Sequence, residues 1–167
     1  RSTPDYEKLD VMNMILGGAF SSRINLNLRE RHGYTYGAGP SVIALAHGGW
    51  IATSSGVRTD VTDKAVAEIL KEISRMRTDP ITDEEMTLAK SSLVRALPGR
   101  FETTMGVVRM YYEIPVYKLP LDYYSQYSTR VSAVTAADVQ DVAKKYLTPE
   151  ELLIVAVGDR NAIERGL

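Results

Sequence analysis

The chain has 167 residues, of which 44% are hydrophobic and 25% charged, and its formal net charge is -1. This composition predicts one globular domain, and the balanced charge excludes a global electrostatic attraction to nucleic acid or to an acidic membrane surface. The absence of cysteine excludes disulfide scaffolds, thiolate nucleophiles and cysteine-ligated zinc, and no apolar stretch approaches the roughly 20 residues that cross a bilayer.

The first predicted element is a helix from Tyr6 to Leu16. Apolar side chains recur there at helical spacing, and Gly17-Gly18 follows as the kind of stop that helix ends favour. We interpret the two glycines as a helix-to-helix corner that needs positive φ. A phosphate cradle of backbone N–H groups is the alternative, which is disfavoured because the pair follows a helix and lacks G-x-G-x-x-G spacing.

A second, short helix is predicted between a serine and a glycine. Ser21 or Ser22 can cap its start, and Gly33 ends it. Arg29 and Arg31 lie in its last turn, where positive charges complement the helix dipole. The pattern therefore predicts a short amphipathic helix with basic side chains at its C-terminal end.

A β-hairpin and a long helix come next. Residues 34–46 are rich in Tyr, Val and Ile, residues 47–49 offer a His-Gly-Gly turn, and residues 50–55 resume an extended pattern. Past Asp60, apolar residues form a wide helical stripe that ends before Asp79-Pro80. The stripe predicts an amphipathic helix with one face in the core.

Two helical segments are predicted around the middle of the chain. Residues 82–85, Thr-Asp-Glu-Glu, match the capping box and begin a helix that continues to Pro98-Gly99. Residues 101–117 are predicted to be helical at first and then broken near Pro115, with a second break at Pro120.

The last third of the chain is predicted to contain two helices and a strand. A helix from about Leu121 to Val131 precedes a second cap-like start at residues 135–138, Thr-Ala-Ala-Asp, whose helix runs to Tyr146. The continuous apolar run from Leu152 to Val157 then predicts a strand buried in the core.

The elements mix helices and strands without regular βαβ alternation. They predict the α+β class, with an antiparallel sheet covered by helices. No internal repeat or flexible linker divides the chain, so residues 1–167 are expected to form a single domain. Because the sequence begins Arg-Ser-Thr-Pro without an initiator methionine, we expect a fragment of a larger chain. The localisation of that parent is left unknown, and a bacterial periplasmic or secreted parent is compatible with the sequence.

Self-contained catalysis finds little support in the sequence. The two histidines, His32 and His47, do not occur in H-x-x-E-H, H-E-x-x-H or comparable ligand spacing. A zinc site would need both of them and a carboxylate brought in by folding, so structural roles are the favoured interpretation. The serines lack the G-x-S-x-G and S-x-x-K contexts that activate a nucleophile.

One constellation does suggest chemistry. In the run from Leu28 to Gly37, a guanidinium near a helix end and a phenol at the start of a strand are joined by a tight glycine turn, so the two side chains can converge. A guanidinium and a phenol hydroxyl are both donors that can bind a peptide carbonyl or the oxyanion formed from it. Each residue type is also common at these positions for structural reasons.

The run LGGAFSSRINLNLRERHGYTY, residues 16–36, resembles the LGG-x-F-x-SRL-x-x-x-LRE-x-x-G-x-x-Y signature of the insulinase (pitrilysin) family of zinc peptidases. Downstream features agree in order, so the resemblance spans nearly the whole chain. Members of that family pair two similar domains of the LuxS/mitochondrial processing peptidase-like metallohydrolase fold. Zinc is bound through H-x-x-E-H in one of the two, and this sequence resembles the other, non-catalytic domain.

The resemblance implies a supporting role for this domain. The metal-lacking domain of that family contributes an Arg and a Tyr, seven residues apart, that hold the peptide substrate opposite the zinc. Arg29 and Tyr36 match this spacing. Tyr34 is a nearby competitor, and alternation along a strand would send Tyr34 and Tyr36 to the same face. The implied partner is a zinc-binding domain on the same chain or on a separate subunit, with a peptide as substrate.

Further expectations follow from the resemblance. The chain is expected to bind no zinc itself, to cleave no peptide alone, and to lack an opening strand that the family places before its first helix. A second function from a different class is an assembly or peptide-holding subunit of a pseudo-peptidase, in which no proteolysis occurs.

Overall fold

The computed structural model describes residues 1, 3–164 and 166. Within this part of the chain, eight α-helices accompany one two-stranded antiparallel sheet, which confirms the α+β class. None of these helices has the length and apolarity that a bilayer span requires. The strands are β1 (Thr35–Leu45) and β2 (Gly48–Val57), and the helices are α1 (Tyr6–Asn13), α2 (Arg23–Asn25), α3 (Thr62–Thr78), α4 (Asp83–Ala96), α5 (Thr104–Tyr117), α6 (Tyr127–Ala133), α7 (Ala136–Tyr146) and α8 (Arg160–Ile163).

The two N-terminal helices are extended by wide π turns. Helix α1 continues through Met14–Gly18, and α2 continues through Leu26–Arg31. The two predicted helices, including the stop at the glycine pair, are therefore confirmed. Single π turns of this kind are frequent at functional positions.

The reason for the glycine at position 17 differs from the predicted one. Among the described glycines only Gly33 and Gly48 have positive φ, so the positive-φ corner at Gly17-Gly18 was wrong. A Cβ at position 17 would lie 2.1 Å from Cδ of Pro40 on β1, a separation that atoms cannot adopt. Position 17 is glycine because the helix end packs directly against the strand.

Both predicted cap starts are confirmed in atomic detail. The Thr82 hydroxyl accepts from the Glu85 N–H at 3.2 Å, and the Glu85 carboxylate accepts from the Thr82 N–H at 2.9 Å. Thr135 and Asp138 make the same reciprocal pair, at 3.1 and 2.9 Å. Each box satisfies two N–H groups that a helix start leaves without partners, so α4 and α7 begin where the sequence predicts.

The core is built around α1, which contacts α7, α4, α6 and β1. Val11, Met12 and Leu16 on this helix are fully buried, as are Val139 and Ala143 on α7. This arrangement places the end of α1, and the glycine pair that follows, between the helices and the hairpin.

A buried carboxylate fixes the second helix on the third. Glu72 of α3 is only 1% exposed and accepts from the Asn27 side-chain amide at 2.6 Å. Arg75 donates to the same carboxylate at 3.0 Å, so the buried charge is both paired and hydrogen bonded. The contact holds the turn that carries Arg29 against a long helix.

The hairpin follows the predicted boundaries closely. β1 and β2 are joined at Ala46-His47, and Gly48 after the turn has φ 143°. The register pairs Leu45 with Gly48 and Thr35 with Val57, with an irregularity between Thr35 and Ala38. That irregularity lies next to Tyr36, at the end of the hairpin remote from the turn.

Two helix boundaries in the middle of the chain were predicted wrongly. Helix α5 continues through Pro115 and ends at Tyr117, and the capping residue Lys118 has φ 53°. The proline lies in the last turn of the helix. Because it has no N–H, the helix loses one hydrogen bond there, and the preceding turns stay intact. The helix expected from Leu121 begins only at Tyr127, after a series of turns.

The buried terminal strand was also wrong. Residues 152–157 belong to no helix or strand, and Leu153, Val155 and Val157 are 88%, 75% and 95% exposed. Among the described residues, the backbone of this run makes no hydrogen bond to any other segment. An apolar run becomes a strand only where another strand pairs with it, and no strand lies beside it here.

Candidate functional site

The helix that carries Arg29 ends in a glycine turn that leads directly into β1. The Gly33 N–H donates to the Arg29 carbonyl at 3.1 Å, and the Tyr34 N–H donates to the Leu28 carbonyl at 2.8 Å. Gly33 has φ 62°, so the two bonds close a capping motif with glycine at the left-handed position, one residue wider than a Schellman motif because the helix ends in a π turn. The motif reverses the chain within three residues and brings the strand back along the helix.

A buried asparagine fixes the position of the second helix relative to strand β1. The Asn25 carbonyl oxygen accepts from the Ala38 N–H at 2.9 Å. Its amide donates to the carbonyls of Gly17 and Ala19 at 3.2 and 3.0 Å, and to the Ser22 hydroxyl at 3.1 Å. Asn25 is 8% exposed, so a single buried side chain joins the end of α1, the start of α2 and β1.

This bridge ties the helix that carries Arg29 to the strand that carries Tyr36. Arg29 lies four residues beyond Asn25, in the π turn that extends α2. Tyr36 lies two residues before Ala38, about 6–7 Å back along the strand. Both residues lie on the side of the bridge that leads to the glycine turn, Arg29 on the helix and Tyr36 on the strand.

The Arg29 guanidinium keeps its donors available. Its central carbon lies over the Phe20 ring, 4.3 Å from the ring centroid. Nε lies 3.3 Å from a Glu30 carboxylate oxygen, a contact outside hydrogen-bond geometry, and 39% of the side chain is exposed. Within the described chain the guanidinium makes no hydrogen bond, so its N–H groups can serve a ligand.

A local distortion of β1 presents Tyr36 to solvent. The buried Thr35 hydroxyl lies 2.8 Å from the carbonyl oxygens of both Gly37 and Gly56, donates its one hydrogen to this pair, and accepts from the Gly37 N–H at 3.1 Å. These bonds hold the irregularity between Thr35 and Ala38, and bulges of this kind redirect side chains. Tyr36 is 97% exposed, and its hydroxyl bonds to no other described residue.

Tyr34 has a different environment from Tyr36. It precedes the strand, which begins at Thr35, so strand alternation does not determine the face that it occupies. Its ring is half-buried against the core and stacks on His32, with ring centroids 4.8 Å apart. Tyr34 is therefore anchored beside the site, whereas Tyr36 projects from it.

No metal centre forms among the described residues. They contain no group of three or more His, Cys, Asp and Glu side chains that could hold an ion. His32 is engaged with Tyr34, and His47 lies in the hairpin turn between β1 and β2. The chemistry that the site offers is hydrogen-bond donation to an electron-rich oxygen.

Sequence reasoning missed two residues that build the site. Asn25 and Thr35 are buried polar residues whose hydrogen bonds set the positions of Arg29 and Tyr36. The available signal was the position of Asn25 between Ile24 and Leu28, in the apolar face of a short helix, where a polar side chain needs partners.

The left-handed turn at Gly33 gives a direct test of how the site is held. Gly33→Ala is expected to lower the free energy of unfolding by about 1–2 kcal/mol, because an added Cβ meets no neighbour but disfavours this φ. Urea unfolding measures this loss in Gly33→Ala and compares it with the loss in Gly56→Ala, where the glycine lies in open space without positive φ. Equal effects at the two positions would contradict the assigned role of the turn.

Comparison with known proteins agrees with this architecture. Residues 1–93 match the family model described as the peptidase M16 inactive domain. The chain is 24% identical over 160 residues to "Non-peptidase homolog YmxG" of Helicobacter pylori, covering 93% of this chain and 36% of that protein. The chain thus spans little more than a third of this relative.

Solved structures share the fold. A peptidase M16 inactive domain from Pseudomonas fluorescens superposes with a TM-score of 0.82 at 22% identity, covering 90% of this chain and 36% of that one. The inactive peptidase domain of a protein described as a zinc protease from Bordetella parapertussis gives a TM-score of 0.70 at 21% identity, covering 87% and 79%. Since the family model covers more than half of the sequence and the fold agrees, the chain belongs to the inactive-domain family of M16 peptidases, and the resemblance to insulinase-type zinc peptidases is confirmed.

Proposed function

We propose that this domain completes the substrate cavity of a zinc metallopeptidase whose metal is bound by an H-x-x-E-H motif in a partner domain. Arg29 and Tyr36 contact the peptide at its scissile bond. The observation that carries the proposal is a pair of donors, on a helix and a strand joined by the bond from Ala38 to Asn25, that make no hydrogen bond to the described residues, with Tyr36 97% exposed. Tyr34 lies beside them and lines the edge of the same surface.

The two donors act on the peptide as electrostatic auxiliaries. A zinc ion held by the H-x-x-E-H residues of the partner domain would supply an activated water for attack on the carbonyl carbon. Charge then develops on the carbonyl oxygen, and the Tyr36 hydroxyl donates to it. The Arg29 guanidinium, whose N–H groups are all donors, donates to the same oxygen or to the neighbouring backbone carbonyl.

Reconstitution tests this division of labour. The chain alone is expected to release no product from a fluorogenic peptide, whereas the chain combined with the zinc-bearing domain is expected to hydrolyse it. Zinc content is measured on both samples. Full activity of the zinc-bearing domain without this chain would overturn the proposal, and so would one tightly held zinc in the chain alone.

A second function is favoured by one comparison. The similar Helicobacter protein carries the name of a non-peptidase homolog, so a peptide-holding or assembly subunit without proteolysis is the alternative. The parent's partner domain distinguishes the two functions, because proteolysis requires zinc ligands there. Peptide binding that persists in a complex lacking H-x-x-E-H would favour the alternative.

A further inference from the structure

Phe20 lies directly beneath the Arg29 guanidinium. The arginine's central carbon is 4.3 Å from the ring centroid, within the range of a cation–π contact. Phe20 is 61% exposed, so the ring is not a core residue that happens to touch a charged neighbour. The ring and the guanidinium share one surface at the start of α2.

The backbone beneath this ring is held by two hydrogen bonds. The Ala19 carbonyl accepts from the Ser22 N–H at 3.1 Å and from the Asn25 amide at 3.0 Å. These bonds close a turn over residues 19–22 with Phe20 at its first corner. Asn25, which binds the backbone of β1, therefore also fixes the backbone position from which the Phe20 side chain extends.

Support from a ring suits the task of Arg29. A free arginine side chain samples many rotamers, and ordering it costs conformational entropy. The Glu30 carboxylate, 3.3 Å from Nε, pairs with the charge of Arg29 but lies outside hydrogen-bond geometry, so it neither fixes nor occupies the N–H donors. An aromatic face attracts the cation while leaving those N–H donors free to bind a carbonyl oxygen.

We infer that Phe20 is a positioning residue for Arg29: its ring holds the guanidinium in the orientation that contacts the peptide. The inference rests on the proposed function and adds a residue to it. Phe20 acts through Arg29, so its effect on turnover should exist only while Arg29 is present.

Nuclear magnetic resonance on the 167-residue chain tests the contact without any catalytic assay. The Hε resonance of Arg29 is expected to be shifted by the ring current of Phe20, to lose that shift in Phe20→Leu, and to keep it in Phe20→Tyr. An Arg29 resonance that is the same in the wild type and in Phe20→Leu would overturn the inference.

A double-mutant cycle in the reconstituted peptidase tests the role. A cation–π contact at an exposed site corresponds to about a two- to fivefold effect, so Phe20→Leu should lower kcat/KM by that factor, with Phe20→Tyr near normal. In the Arg29→Ala background, Phe20→Leu should have no further effect. If Arg29→Ala slows turnover and Phe20→Leu slows it further in that background, the positioning role of Phe20 is contradicted while the proposed function stands. If Arg29→Ala leaves turnover unchanged, the proposed function fails, and the inference with it.

Discussion

Arg29→Ala and Tyr36→Phe are each expected to slow peptide turnover about a hundredfold or more in the peptidase reconstituted with its zinc-bearing domain. The physical reason is the loss of one preorganised donor to the developing oxyanion, which costs on the order of 3 kcal/mol in comparable sites. Since these contacts strengthen in the transition state, kcat and kcat/KM should fall together. Steady-state kinetics on a fluorogenic peptide measures both.

Two matched variants separate this effect from general damage. Arg31→Ala removes an exposed arginine from the same last turn, and Tyr111→Phe removes the hydroxyl of a tyrosine that is 64% exposed on α5. Both are expected to retain near-normal kcat, with unchanged zinc content. Near-normal turnover in Arg29→Ala and Tyr36→Phe would remove the site from the mechanism.

Asn25→Ala is expected to cause the largest loss of stability, about 3 kcal/mol in the free energy of unfolding. The substitution leaves the buried Ala38 N–H and the Gly17 carbonyl without their partner, and each unsatisfied buried group costs about 1–3 kcal/mol. Urea unfolding followed by circular dichroism gives the value, with the slope m checked for constancy.

An exposed asparagine provides the reference for that measurement. Asn161 lies on α8 with its side chain at the surface, and Asn161→Ala is expected to change the free energy of unfolding by less than about 0.5 kcal/mol. A loss below about 1 kcal/mol in Asn25→Ala would contradict the role of Asn25 as the bridge between α1, α2 and β1.

Elements with local signals were predicted well from the sequence. In the capping boxes at Thr82 and Thr135, the backbone N–H donors and their side-chain acceptors lie within four residues of one another. No distant part of the chain therefore decides where α4 and α7 begin. The hairpin turn near Gly48 is equally local. The same holds for Gly33, whose left-handed φ ends the second helix.

Elements that depend on distant contacts were predicted less well. The glycine at position 17 is required by Pro40, 23 residues away in the sequence, and no helix-end rule contains that information. The apolar run at 152–157 has the composition of a buried strand, but pairing needs a neighbouring strand that composition does not supply. Helix α5 passes through Pro115 because that proline falls in its last turn.

The candidate site divides in the same way. Arg29 and Tyr36 were identified by their spacing around a glycine turn and by the family signature. Their supports were not, because Asn25 and Thr35 act through hydrogen bonds to residues 6–21 positions away. A single sequence indicates which side chains carry donors, and the folded chain determines which of them remain free to use those donors.

The central claim is that Arg29 and Tyr36 face a metal held by another domain. The most direct test replaces the zinc of that domain with Mn²⁺ and compares nuclear magnetic resonance spectra of this chain in the two metal-loaded complexes. The Arg29 Nε–Hε and Tyr36 amide resonances are expected to broaden strongly with Mn²⁺ relative to the zinc-loaded reference. If the complex is shown to be assembled and Mn²⁺ leaves the line widths of both resonances unchanged, the claim is contradicted.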